Sequence, residues 1–370
     1  MTAVMDDQTV AARVLAHIAD GTTDRGHEIW REPVENYRSP KRFAAERALF
    51  RRFPTAFCPS AALPGPGAYV ARDAAGIPIL VARGNDGRVR AFRNACRHRG
   101  MQIAQGTGCA RAFVCRYHGW TYGLDGALRH ISHESGFPGL DPAAHGLVPV
   151  GATEALGTVF ITQDAPAIED HSLAALPKLL TPDQQLYDIG EDEIPANWKL
   201  LLEGFIEGYH IRSTHPQSFL PYGFDNLNLV DFFGRGSRVT YPFQRIKKLA
   251  EVPAAERRVE GLLTYVYQLF PNVVVTVLSR HTSLIVLEPL APDRTRMIRY
   301  TLTNGSGEEA LREAKRDQDF VGTTGAVEDR EVVTAIQRSI GSGANEAFTF
   351  GAFESAIVHF HRSLTALVET

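Results

Sequence analysis

The chain has 370 residues, 44% of them hydrophobic and 22% charged, an ordinary globular composition that excludes disordered, collagen-like and coiled-coil proteins. Thirty-nine basic residues against 42 acidic ones leave a net charge of −3, without the basic excess of a nucleic-acid or polybasic membrane binder. Four cysteines are too few for a disulfide scaffold. Met1 to Asp20 mixes Asp6, Asp7, Arg13 and His17 into its apolar residues, so it reads as neither a signal peptide nor a membrane span, and a bacterial cytoplasmic location is the default expectation.

In chain order, the apolar spacing of Val10 to Ala19 predicts a helix. Ser39 is placed to cap a second one that starts at Pro40 and runs through Lys41 to Phe50. After Pro54 short β-rich runs take over: Ile77 to Ala82, Arg111 to Cys115 and Gly157 to Ile161, separated by turns such as Asn85-Asp86-Gly87 and Asp125-Gly126. An acidic, alanine-containing stretch from Asp164 to Asp170 reads as a linker. Beyond it Trp198 to His210 is a predicted helix capped by Asn197. Tyr265 to Thr276, Thr282 to Leu287 and Arg296 to Thr303 are predicted strands, and Glu308 to Phe320, Ala326 to Ile340 and Gly351 to Val368 predicted helices.

Two constellations carry chemistry. The first is Cys96-x-His98, sixteen residues, then Cys115-x-x-His118. Two thiolates and two imidazoles on two short loops suit either tetrahedral zinc or a Rieske [2Fe-2S] cluster, in which two histidines hold one iron and two cysteines the other. Each loop supplies one ligand of each kind, which favours the binuclear centre over a Cys2His2 zinc site. Cys58 and Cys109 have no partner histidine at that spacing and read as small buried hydrophobes.

The second constellation lies in Asn197 to Pro216. On a helix Glu203, Glu207 and His210 share one face. His215 is about 140° further round, so it converges with His210 only across a helix end, which Pro216 supplies. Two histidines and a carboxylate make the facial triad of non-haem Fe(II) oxygenases. The acidic stretch Val327 to Glu331 offers the carboxylate, with Asp329 preferred and Glu328 the fallback.

On these residues the chain resembles the oxygenase (α) component of the Rieske non-haem iron ring-hydroxylating oxygenases. The likeness runs from the Cys-His loops through Asn197-Trp198-Lys199 to the pairing of Asp329 with Gln337. It implies an α+β architecture: an all-β Rieske domain at 51–163 and a larger catalytic domain at 164–370, whose antiparallel sheet and helices carry a mononuclear iron site. Residues 1–50 would be helices packing on the catalytic domain. It places the cluster on Cys96, His98, Cys115 and His118, the iron on His210, His215 and Asp329, and an electron-bridging role on Glu207. The family's ring dioxygenases usually carry aspartate at that bridge. Glutamate is more familiar in homotrimeric members such as carnitine and choline-type monooxygenases, which weakens the case for cis-dihydroxylation and favours an oxygenase of α chains alone. In such trimers the Rieske cluster of one subunit would serve its neighbour's iron, with Glu207 between His118 or His98 and a ligand histidine.

The two sites together imply reductive activation of O2, with electrons from NAD(P)H through a separate reductase and a possible ferredoxin. No dinucleotide-binding motif is visible: Pro64-Gly65-Pro66-Gly67 does not match its spacing. By analogy the substrate pocket draws on Phe205, Phe219, Tyr222, Phe224 and strand residues from Tyr265 to Leu278. The leading expectation is hydroxylation or oxidative demethylation of an aromatic or apolar cyclic substrate. A quaternary ammonium compound held by an aromatic cage is the alternative, and a Rieske electron carrier without oxygenase activity is the reading from another class.

Overall fold

The computed structural model describes residues 4–369. Contacts divide the chain into two units: Phe50–Glu169, and Met1–Leu49 together with Asp170–Thr370.

In Phe50–Glu169 a seven-stranded antiparallel sheet runs, in spatial order, through Thr55–Pro59, Thr158–Thr162, Pro149–Ala155, Val89–Arg93, Ile77–Arg83, Ala68–Ala74 and Gly106–Cys109. A small sheet of Phe113–Val114, Thr121–Tyr122 and Leu128–His130 carries one Cys-His loop between its first two strands. Leu80, Phe92, Phe113, Trp120, Tyr122 and Leu147 form the core beneath the loops, together with Cys96 and Cys115. The predicted strand from Arg111 shrinks to Phe113–Val114, because Cys115 already turns into its loop. Asp164, expected in a linker, is pinned by Arg51 and Arg93. Cys109, expected to be buried, is exposed at the end of an edge strand beyond which no strand pairs among the described residues.

The other unit contains helices α1 (Asp7–Asp20), α2 (Glu35–Arg38), α3 (Pro40–Arg52, its start in this unit), α4 (Trp198–Phe205), α5 (Ile211–Thr214), α6 (Gly307–Thr323), α7 (Gly325–Ser339) and α8 (Ser355–Val368). Its seven-stranded antiparallel sheet runs through Leu186–Ile194, Arg294–Thr303, His281–Ala291, Val273–Val277, Leu263–Leu269, Gly236–Pro242 and Leu229–Phe233. The single strand predicted over Tyr265 to Thr276 is two strands. Pro271 has no N–H to give to a ladder, and the chain reverses there so that Val266 pairs with Thr276. The helix predicted over Gly351 to Val368 starts at Ser355, after a short 3-10 turn at Ala352–Glu354. A two-stranded ribbon joins Trp30–Pro33 to Ala347–Phe350, bringing an early segment against a late one. Val10 and Val14 of α1 pack with Leu229, Ile246 and Leu263. No helix among the described residues is long and apolar enough to cross a membrane.

Candidate metal centres

Both Cys-His loops have the same backbone design. Cys96 N–H donates to Met101 C=O and Gly100 N–H returns to Cys96 C=O, each at 2.8 Å; Cys115 N–H donates to Trp120 C=O at 2.8 Å and Gly119 N–H to Cys115 C=O at 2.9 Å. Gly100 and Gly119 have φ of +77° and +73°, a left-handed conformation that closes each turn and that a side chain would strain. At Gly119 a Cβ would also run into Ser132.

This geometry buries both cysteines and leaves both histidines toward solvent, with the His98 and His118 rings 4.6 Å apart. The His98 ring stacks on Trp120 at 5.1 Å and the His118 ring on Tyr117 at 3.7 Å. Tyr122 Oη accepts the Arg97 N–H at 2.9 Å and lies 3.3 Å from Cys96 Sγ, so its own proton is free to point at the sulfur. His98 Nδ1 is buried with no hydrogen-bond partner. A soft thiolate pair beneath two imidazoles, one with an unsatisfied nitrogen, is the donor set of a Rieske cluster.

The second site begins where the predicted helix fails. Asn197 caps α4 as expected, its side chain accepting the Lys199 N–H at 3.0 Å, but α4 ends at Phe205 instead of reaching His210. Tyr241 Oη donates to the carbonyls of Phe205 and Glu207, both at 3.0 Å, and so holds the chain after the break. The expected common face of Glu203, Glu207 and His210 therefore does not form. Glu203 turns into a buried cluster, where its Oε1 accepts from Tyr37 Oη at 2.7 Å and meets His361 Nε2 at 2.8 Å. Glu207 bonds His210 Nδ1 and the backbone N–H of Tyr209 and His210.

His215 closes the short α5 and is fully buried. Its Nδ1 lies 2.7 Å from Glu328 Oε2, which also accepts from Ser218 Oγ at 2.5 Å. Glu328 and Asp329 are adjacent on α7, which Gln337 ties to α4 by accepting the Asn197 N–H at 2.8 Å. With each Nδ1 occupied by a glutamate, both Nε2 atoms turn to Asp329 Oδ1, His215 at 2.9 Å and His210 at 3.6 Å. His215 Nε2 makes no hydrogen bond at that angle and is buried without another partner. One ligand atom from each of His210, His215 and Asp329 lies within 4.8 Å of the others, so the three converge on a point as donors to a single metal ion would. Burial works against charge on both imidazoles, but Glu207 with Asp329, and Asp329 with Glu328, outweigh it and hold both pKa values above the ordinary 6.5.

This triad opens into a cavity of about 1910 Å³. Phe205, Phe219, Tyr222, Phe224 and Leu278 line it as expected; Tyr265 does not. Its neighbours Thr264 and Val266 face the cavity, and strand alternation sends Tyr265 to the opposite face, where its ring lies under Arg238 and its hydroxyl meets Asp7 at 3.1 Å. The Phe219 ring lies 4.7 Å from His215, and Phe320, which the sequence did not single out, lies 5.6 Å from Tyr222 and 6.3 Å from Phe219. The roles of Ser218, Tyr241 and Gln337 also escaped the sequence reading; of these only Gln337 left a signal, its spacing from Asp329.

Comparison with known proteins follows the same division. Residues 54–141 match the Rieske [2Fe-2S] domain and residues 178–370 the ring hydroxylating alpha subunit (catalytic domain). The glycine betaine monooxygenase oxygenase subunit of Chromohalobacter salexigens is 36% identical over 228 residues, 58% of this chain and 49% of that protein, so the match spans about half of the relative's length. The carnitine monooxygenase oxygenase subunit of Escherichia coli K12 is 27% identical over 91% of this chain and 93% of its own. Among solved structures, the quaternary ammonium Rieske monooxygenase CntA with L-carnitine superposes with a TM-score of 0.78 at 23% identity, over 92% of this chain and 96% of that one. Naphthalene 1,2-dioxygenase from Rhodococcus sp. superposes with a TM-score of 0.76 at 18% identity, over 98% of each chain.

Proposed function

For a chain that belongs to the family of ring-hydroxylating oxygenase alpha subunits, a Rieske domain ahead of the catalytic one, we propose the terminal oxygenase role in a multicomponent system. The observation that carries it is the convergence of His210, His215 and Asp329 at the wall of a substrate-sized cavity. Cys96, His98, Cys115 and His118 would hold the [2Fe-2S] cluster, and the triad the mononuclear iron. The two groups supply stepwise electron delivery and reductive O2 activation. The chain's own residues do the rest: Glu207 and Glu328 fix the imidazole tautomers, and the aromatic and aliphatic part of the cavity wall beside the triad gives the substrate an apolar surface. Electrons come from NAD(P)H through a reductase, with or without a ferredoxin. In a trimer Glu207, already bonded to His210 Nδ1, is the group through which a neighbour's cluster reaches the iron.

Within that activity the substrate class we infer is a quaternary ammonium compound. Phe219, Tyr222 and Phe320 gather as an aromatic wall near the triad, the kind of surface that attracts a cation without hydrogen-bond donors. The named relatives act on betaine and carnitine. Hydroxylation of a carbon bonded to the charged nitrogen yields a product that breaks into an amine and a carbonyl compound. The same walls admit an apolar cyclic substrate, so both classes enter the test. Purified protein should contain three irons and two acid-labile sulfides per chain and show a Rieske electron paramagnetic resonance signal after dithionite reduction. With a surrogate reductase it should release an amine from betaine, carnitine or choline. Two irons that persist after ferrous reconstitution would make it a carrier, and turnover of aromatic compounds alone would move the substrate to the other class.

A further inference from the structure

Behind the iron triad lies a group of buried ionisable side chains that the reading above leaves unused. His361 of α8 is fully buried between two carboxylates from different elements: its Nε2 is 2.8 Å from Glu203 Oε1 and its Nδ1 is 3.5 Å from Glu32 Oε2. Glu203 lines the cavity of the triad. Glu32, on the early strand Trp30–Pro33, is itself buried; it accepts from Trp30 Nε1 at 3.0 Å and Asn36 Nδ2 at 2.7 Å, and these two half-buried residues separate it from solvent. His361 Nδ1 has no hydrogen-bond partner. Carboxylate, imidazole and carboxylate thus run in line from near the surface to the cavity.

We propose that Glu32, His361 and Glu203 form a proton relay that supplies the cavity during turnover. The inference rests on the oxygenase reading, whose balance is R–H + O2 + 2 e⁻ + 2 H⁺ → R–OH + H2O, with electrons from the reductase. Those protons must reach the reacting atoms in step with the electrons, and imidazole suits a route for them because it takes a proton at one nitrogen while releasing another from the second. In each passage the Glu203 O–H bond breaks and its proton leaves into the cavity. The His361 Nε2 proton moves to Glu203, Nδ1 takes one from Glu32, which is reloaded past the half-buried Trp30 and Asn36, and a flip of the ring then returns the N–H to the Glu203 side before the next passage. A small rotation of the ring closes the 3.5 Å gap.

The surrounding charges leave this line free to work. Glu46 is neutralised by Lys199 at 2.8 Å and Arg42 at 3.1 Å, and Tyr37 Oη donates to Glu203 from the side. On the cavity side Glu207 is engaged with His210, and Glu354 accepts the Gly351 N–H at 2.6 Å. Burial raises the Glu203 carboxyl to about 8 and lowers His361 to about 4, so near neutrality the mobile proton rests on Glu203, next to the cavity.

The test uses infrared spectroscopy of the iron-free full-length protein, so it does not depend on turnover. At neutral pH the wild type should show the C=O stretch of a protonated carboxylic acid that is lost in Glu203→Gln, distinct from any band of Glu354, whose carboxyl burial raises to about 7 and which that variant leaves in place. On transfer to D2O that band should shift at least tenfold more slowly in His361→Gln and in Glu32→Gln than in the wild type. In the loaded enzyme the same two variants should lower kcat, leave KM nearly unmoved and enlarge the solvent deuterium isotope effect. Absence of the band in the wild type overturns the relay, as does exchange at the wild-type rate in Glu32→Gln, which needs no change in the buried core. A wild type that shows the exchange pattern but no oxygenase turnover would fault the oxygenase reading and leave the relay standing.

Discussion

Two adjacent acids on α7 do different work. Asp329 offers its carboxylate to the point where both Nε2 atoms converge, while Glu328 grips the far nitrogen of His215. Replacing Asp329 with alanine should abolish mononuclear iron and leave the cluster signal intact. Glu328→Gln should keep the iron but weaken its retention by about 10- to 100-fold, the usual cost of losing a carboxylate behind a ligand histidine. Competition with a chelator, read as iron per chain, separates the two. The sequence offered both acids as the third carboxylate, with Asp329 preferred, whereas their division of labour depends on which way each faces on α7. Tyr265 shows the same limit from the other side: a strand's two faces look alike in sequence until the sheet decides which one is covered.

Glu203 and His361 also set a pH dependence of stability. Folded Glu203 keeps its proton to about pH 8 against an ordinary 4.5, so it favours the folded state at low pH and that stability is lost as pH rises through 8. Folded His361 titrates near 4 against 6.5, so its contribution is lost as pH falls. Between 4.5 and 6.5 folded and unfolded chains bind the same number of protons at this pair and the effects cancel, leaving a net loss from 6.5 to 8. The melting temperature of the iron-free protein should fall over that interval, and Glu203→Gln should flatten the fall.

At the scale of elements, the site exists because α4 stops early. A helix continued to His210 would turn Glu203 and Glu207 to one side; the break at Phe205 sends one to Tyr37 and His361 and the other to His210. The start of α4 was legible because Asn197 is a local cap, while its end was not, because the hydroxyl that holds the broken chain comes from Tyr241 on a distant strand. Gly325 plays a similar part at the start of α7. It is buried, and a Cβ there would overlap the Phe219 ring that lies against His215. Gly325→Ala should cost about 1–3 kcal/mol as overpacking and lower iron occupancy, measured by thermal melting and iron content. Adding Phe219→Leu should restore much of both.

For the whole molecule, the Rieske signature was legible because its Cys-His pairs sit in two short loops, each closed by its own glycine. The catalytic core was less so, because its buried polar cluster draws Glu32, Tyr37 and Glu46 from the early chain, Lys199 and Glu203 from its middle and His361 from its late part. Residues 50–169 carry their own sheets and core, so expressed alone they should fold and bind a [2Fe-2S] cluster with the Rieske spectrum. A fragment beginning at Asp170 should be insoluble or unfolded, since it lacks the partners of Lys199 and His361. Circular dichroism and the visible spectrum of the two fragments would check both.

The ribbon of Trp30–Pro33 with Ala347–Phe350 has a further consequence for how the protein is made. Synthesis is vectorial, and the ribosome delivers the first strand of that ribbon more than three hundred residues before the second. The nascent amino-terminal segment must therefore wait undocked, its Tyr37 and Glu32 without their buried partners, while the Rieske unit emerges behind it and completes its own sheet. Cluster insertion can then precede closure of the catalytic unit, which is completed only once Ala347–Phe350 and α8 have emerged.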